Sequence, residues 1–209
     1  SSHFADFLGP DSFFWFLEGT MALARFAFLM SVSLFAVVSG TNGPDVPQVL
    51  ASLLQQIQGG DAVVEADTVM KFAKCVNEDT SLKFSAAAQT ALDKIIMKRR
   101  KMLRLGLRGL ASAVLEFVED ANASCGEPRL AGAEEAAKAS RTLHAYTASK
   151  VYIEYQQLKS LTVGGADIHV PLNAFIGAWK KSQSDIGKKL ADLILPFLSM
   201  ETPAAKAEL

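Results

Sequence analysis

The stretch Leu82–Ala121, LKFSAAAQTALDKIIMKRRKMLRLGLRGLASAVLEFVEDA, decides the fold of this chain. It lies in the longest proline-free run. Its apolar residues Phe84, Ala88, Leu92, Ile95, Ile96, Leu103, Leu107, Leu110, Val114 and Phe117 recur mostly at intervals of three and four. That is the period of a packed α-helix. The preceding NEDTS supplies capping side chains, with Thr80 or Ser81 best placed. Left straight, these 40 residues would extend about 60 Å.

The two cysteines flank this stretch and set a geometric condition on it. Cys75 precedes it and Cys125 follows it, and a disulfide needs their Cα atoms within about 7 Å. A bridge therefore requires the long helix to fold back, and the expected place is RLGLRG, Arg104–Gly109, where two glycines come close together. Two separate reduced thiols are the alternative. A paired Cys75–Cys125 implies an oxidising compartment: the extracellular space, an endoplasmic reticulum or thylakoid lumen, or the intermembrane space. The sequon Asn122-Ala123-Ser124 fits a secreted route but recurs by chance.

Working outward toward the C-terminus, GEPRLAG breaks the chain and a further helix is expected over 133–161, carrying Leu143, Tyr146, Ile153 and Leu158. VGGAD ends it. Pro171 opens a last helix to about Leu195, with Leu172, Phe175, Ile176, Trp179, Ile186, Leu190, Leu193 and Ile194 as its stripe, and Pro196 ends or kinks it. Residues 201–209 read as a flexible tail. Toward the N-terminus, Pro47 suits the first turn of a short helix ending near Gln58. Gly59 and Gly60 stop it, and Asp61 caps a second piece whose expected buried residues are Val64, Val69, Phe72, Ala73 and Val76. No strand pattern competes, so residues 41–200 are expected to form an all-α, antiparallel helical bundle.

Ahead of the bundle stands FFWFLEGTMALARFAFLMSVSLFAVVS, Phe13–Ser39, the most continuously apolar segment of the chain. Residues 19–39 are long enough to cross a hydrocarbon core of about 30 Å as one transmembrane helix. Residues 1–18, with their aromatic cluster Phe13 to Phe16, would then lie at the interface. The competing parse is a signal peptide over 21–40, with Arg25 in its charged region and small residues before TNGPD. On a span, Glu18 and Arg25 are seven residues apart and share one helix face. They would pair with other intramembrane groups, or Glu18 would ligate a metal or pigment. The plainer reading has Glu18 in the interface and Arg25 snorkelling to the same side.

The densest charge in the chain is KRRKMLRLGLR. Lys98, Arg100, Lys101, Arg104 and Arg108 come close together on a helix, with Arg100, Arg104 and Arg108 spaced by four. Such a face holds anionic lipid headgroups or an acidic partner, or is simply solvated. Beyond Gly40 the charge is nearly balanced, 20 basic against 19 acidic residues, so there is no broad field for nucleic acid. The cluster also lacks interleaved aromatics. His3, His144 and His169 are far apart, and no HExxH, CxxC, GxSxG, P-loop or dinucleotide fingerprint occurs. No cofactor is evident from a motif, although a bound pigment or lipid fits the span and the basic face.

These features point to a non-catalytic accessory subunit of a multi-subunit membrane complex. It would be anchored by one helix in an organellar membrane, thylakoid or mitochondrial, with partner subunits and membrane lipids against its helical domain. The alternative is a secreted or lumenal bundle, freed of its signal, binding a lipid or protein. That alternative gains from an interior cavity beside Tyr146, Tyr152 and Trp179, and loses if these residues are packed.

Overall fold

A computed structural model describes residues 44–59, 66–125, 130–156 and 159–203, all within one compact unit, Gly43–Leu209. In chain order the elements are α1 Val46–Ile57, α2 Ala66–Cys75, α3 Glu78–Ile96, α4 Arg100–Ser124 and α5 Ala133–Ala148. Strands β1 Ile153–Gln156, β2 Ser160–Val163 and β3 Ala166–Asp167 follow, then α6 His169–Lys180 and α7 Ile186–Ile194. The domain is mostly helical, with a small three-stranded sheet beside the bundle. Among the described residues, no helix is long and apolar enough to cross a membrane. The interfacial segment 1–18, the expected span 19–39 or signal peptide 21–40, and with them Glu18 and Arg25, lie outside the described residues.

The long helical stretch does fold back, but at Met97–Arg99 and not at RLGLRG. Asn77 caps α3 by accepting from the Thr80 amide at 2.7 Å, so the cap lies ahead of the expected Thr80 or Ser81. At the other end Lys98 turns left-handed, with φ 52°. α4 then runs back antiparallel to α3, stacking Phe117 on Phe84 with ring centroids 4.3 Å apart. The two glycines of RLGLRG stay helical and face α3. A Cβ on Gly106 would lie 2.6 Å from the Ala91 carbonyl oxygen and 2.6 Å from Ile95 Cγ1, whereas one on Gly109 would meet Ala91 Cβ at an ordinary 3.6 Å. Gly106 therefore permits the close approach of the two helices.

The fold-back brings Cys75 and Cys125 together in a disulfide, their Cα atoms 4.8 Å apart. It closes a loop of 50 residues, for which the chain-entropy estimate of stabilisation is about 4 kcal/mol. The predicted stripe of α3 and α4 is buried except for Ile96, which is exposed at the corner. Phe72 of α2 and Val76 just after it are buried, whereas Ala73 faces solvent because it lies off the inward face; the expected cap Asp61 and Val64 lie outside the described residues.

Two further expected helices are interrupted. The helix expected over 133–161 ends at Ala148, where Ser149 is extended and its side chain accepts from the Val151 amide. Beyond it, VYIEYQ and SLTV are β-branched and aromatic, and their inward residues Ile153, Leu161 and Val163 are buried. Gly164 and Gly165, at φ 60° and 92°, form the two-residue turn between the paired Val163 and Ala166. The fold is thus not all-α: a short antiparallel sheet, β1–β2–β3, stands where helix was expected. The last expected helix divides into α6 and α7 at the polar run KSQSD, where Ser182 has φ 48°. α7 packs on α1 through Gly187, whose added Cβ would lie 2.7 Å from Ser52 Cβ. In the C-terminal segment Glu201 is tied down, its carbonyl accepting from the Tyr146 hydroxyl at 3.0 Å. Residues 204–209 of the expected tail lie outside the described residues.

The unequal space at the two glycines makes a sharp comparison. Gly106→Ala should lower unfolding free energy by about 1–3 kcal/mol through overpacking. Gly109→Ala should leave stability unchanged or raise it by up to about 1 kcal/mol through helix propensity. Urea denaturation of both variants checks this, and equal effects at the two sites would remove the packing role given to Gly106.

Candidate functional site

The basic residues gather where α4 begins and where α5 runs into the hairpin. Arg100, Arg104 and Arg108 share one face of α4, and each guanidinium reaches across to the next element. Arg108 Nε donates to His144 Nε2 at 3.0 Å, Arg104 Nη1 to the Ala148 carbonyl at 2.8 Å, and Arg100 Nη2 to the Ile153 carbonyl at 2.7 Å. The Ala148 carbonyl belongs to the last residue of α5 and has no partner within the helix, so Arg104 satisfies an orphan acceptor. Each arginine has five N–H donors, and among the described residues it spends one here.

Arg100, Lys101 and Arg104, together with Lys150, Val151 and Ile153, line a cleft of 590 Å³. Among the described residues, six line it, four of them cations and none acidic. Among the described residues, the ion pairs lie elsewhere, at Lys83–Asp79, Arg141–Glu119 and Lys189–Asp185. Lys98, Arg99, Arg100 and Lys101 are all exposed, beside the exposed apolar residues Ile96 and Met97. Val151, 76 % exposed, adds an apolar surface to the cleft.

The placement of these charges runs against local preference twice. Lys98 occupies the left-handed position just past the end of α3, donating its amide to the Ile95 carbonyl at 3.1 Å, where glycine is the usual residue. Arg99, Arg100 and Lys101 crowd the positive end of the α4 macrodipole, and Arg99 provides no side-chain cap. Each cation there is disfavoured by about 0.3–1 kcal/mol.

Of the residues singled out in the sequence, the structure brings Arg100, Lys101 and Arg104 into one cleft. Lys98 stands at the turn before it, and Arg108 lies further along α4 against His144. Lys150, Val151 and Ile153 are not legible as site residues in the sequence, because their segment reads as helix interior. Its alternating β-branched and aromatic residues ahead of Gly164-Gly165 are the signal of strand there. Tyr146 packs edge-on against Tyr152 at 5.2 Å, and Trp179 packs against Phe84 and Phe175 while donating to Gln89 at 2.9 Å. These three residues are occupied with protein contacts. Among the described residues, no three His, Cys, Asp or Glu side chains are grouped as a metal would require.

His144 is held below its ordinary value of 6.5, first by burial and then by the charge of Arg108. The unfolded chain therefore takes up this proton more readily than the folded one. Stability should be fully present above about pH 6.5 and should decline as pH falls toward the lowered folded value. Unfolding free energy measured from pH 7.5 to 5.5 should show this slope, and His144→Gln should flatten it; an unchanged slope would exonerate His144. Lys98→Gly should stabilise the fold by about 1 kcal/mol by relieving the left-handed backbone, with no gain in denaturation midpoint telling against strain at that turn. Comparison with protein-family models, with curated proteins and with solved structures finds no match to this chain.

Proposed function

We propose that this chain is a non-catalytic accessory subunit of a membrane assembly. Residues 19–39 anchor it in an organellar membrane, and the disulfide-bridged helical domain stands on an oxidising side with its basic corner against anionic groups. One observation carries the proposal: Lys98 to Lys101 are exposed cations placed against backbone and dipole preference, next to exposed Ile96 and Met97. A solvated face has no need of either compromise. Cations flanking exposed apolar side chains suit a lipid interface, where the charges meet phosphates and the apolar groups enter the acyl boundary. Partner subunits would cover other helix surface, such as that around exposed Leu82 and Met70.

The disulfide Cys75–Cys125 also favours the alternative, a secreted or lumenal bundle released from a signal peptide at 21–40. The contacts of Tyr146 with Tyr152 and of Trp179 with Phe175 weigh against the interior ligand cavity that this alternative would use beside them.

Isolation from native membranes in mild detergent, followed by a native gel, intact mass and N-terminal sequencing, separates the two. The expected result is a chain that retains 19–39 and migrates with other subunits. A chain starting at Thr41 and recovered alone from a lumenal or secreted fraction would end the subunit proposal in favour of the alternative.

A further inference from the structure

The cleft at the start of α4 has the chemistry of a phosphate site. We propose that Arg100, Lys101, Arg104 and Lys150 hold a phosphate group there, while exposed Val151 takes the apolar part of the molecule that carries it. This deepens the reading of the basic corner as a functional surface, on which it rests, and it adds the residues of the hairpin side to that corner.

The two arginines are already positioned for the task. The Ile153 and Ala148 carbonyls fix the Arg100 and Arg104 guanidiniums at 2.7 and 2.8 Å, so little side-chain freedom remains to be lost when a ligand arrives. Backbone carbonyls orient these cations without neutralising them, unlike carboxylates. The remaining N–H donors match phosphate oxygens, which guanidinium binds in a forked geometry. Lys101 and Lys150 approach from the two sides of the cleft, α4 and the turn after α5, and add point charges of the same sign. A bound anion also relieves the crowding of cations at the positive end of α4.

The volume favours more than inorganic phosphate. At 590 Å³ the cleft falls within the usual range of small-molecule sites, about 300–1,000 Å³. Val151 is 76 % exposed, yet it lies at the rim of a cationic cleft where a purely ionic ligand would leave it in water. A phosphate attached to glycerol or a short acyl portion would cover it. The phosphate itself is the shared chemistry of a lipid headgroup and of a free phosphorylated metabolite.

The test uses the full chain in neutral maltoside micelles, with amide chemical shifts followed by nuclear magnetic resonance. Inorganic phosphate and dihexanoyl phosphatidic acid are titrated separately at constant ionic strength. Saturable shifts at Arg104, Val151 and Ile153 are expected with both. Lys150→Glu alters an exposed residue of a single helical turn and should weaken both titrations about tenfold. Tighter binding of the phosphatidic acid identifies a lipid source, and equal affinities identify a free phosphate compound; each supports the phosphate site. Absence of saturable shifts, or affinities indifferent to Lys150→Glu, would overturn it. Lys98→Gly lies outside the cleft and should leave these titrations intact; the wider proposal is judged separately, by whether the chain isolated from native membranes retains 19–39 and migrates with other subunits.

Discussion

The structure depends on the antiparallel contact between α3 and α4. Gly106 lets the Ala91 carbonyl and the Ile95 side chain come within a distance that any Cβ would forbid. The rest of the stripe then interdigitates: Phe84 stacks on Phe117, and Leu92, Leu107, Leu110 and Val114 are sealed between them. A disulfide at the open end of this helical hairpin links Cys75, just before α3, to Cys125, just after α4. Helix contact in the middle and a covalent tie at the base hold the two helices together up to the short turn at Met97–Arg99. α5 then lies along α4, held by Arg104 to Ala148, by Arg108 to His144 and by Arg141 to Glu119 at 2.7 Å, while Arg100 reaches on to β1.

That arrangement explains why the basic cluster is both structural and available. An arginine bound to a carboxylate would contribute a closed, nearly neutral pair, and an exposed pair of that kind adds little stability. An arginine bound to a carbonyl satisfies an acceptor and keeps its charge. Arg104 on the Ala148 carbonyl and Arg100 on the Ile153 carbonyl do both at once, joining α4 to the end of α5 and to β1. The corner is consequently rigid and positively charged in the same place. His144 extends the series at its far end as a neutral acceptor, its protonation opposed by burial and by Arg108.

Much of the helical core was legible because its signal is local. The apolar period of Phe84 through Phe117 and of Leu172 through Ile194 reports burial directly, and nearly all of those residues are inside. The places where helices end were less legible, since they turn on competition between close alternatives. Gly106 and Gly109 carry a breaker's composition, but a glycine facing a neighbouring helix gives close approach instead, and that neighbour cannot be seen in a linear sequence. Lys98 carries no breaker signal at all and yet turns left-handed. The hairpin shows the converse: Gly164-Gly165 between SLTV and AD is a two-residue turn with a mechanism, obscured by the helix-compatible alanines and leucines around it. Half of the cleft was readable as clustered cations. The other half, Lys150, Val151 and Ile153, comes from a segment that reads as helix and folds as a turn and strand, so its proximity to Arg100 has no signal in the sequence.

The two ends of the α3–α4 hairpin are chemically opposite, and their separation matters. With 19 residues in α3, they lie about 28 Å apart. The disulfide end is closed by Cys75–Cys125, while the turn end carries exposed Ile96 and Met97 among cations. Apolar side chains left in water at a mobile loop could turn inward, and their exposure would mean little. Here the corner is short, with only three residues between two helices that are locked together by Gly106 packing and by the arginine series. Ile96 and Met97 cannot fold back onto a core that the same helices have already filled. Their exposure is imposed by the fold, and covering them requires something from outside the domain.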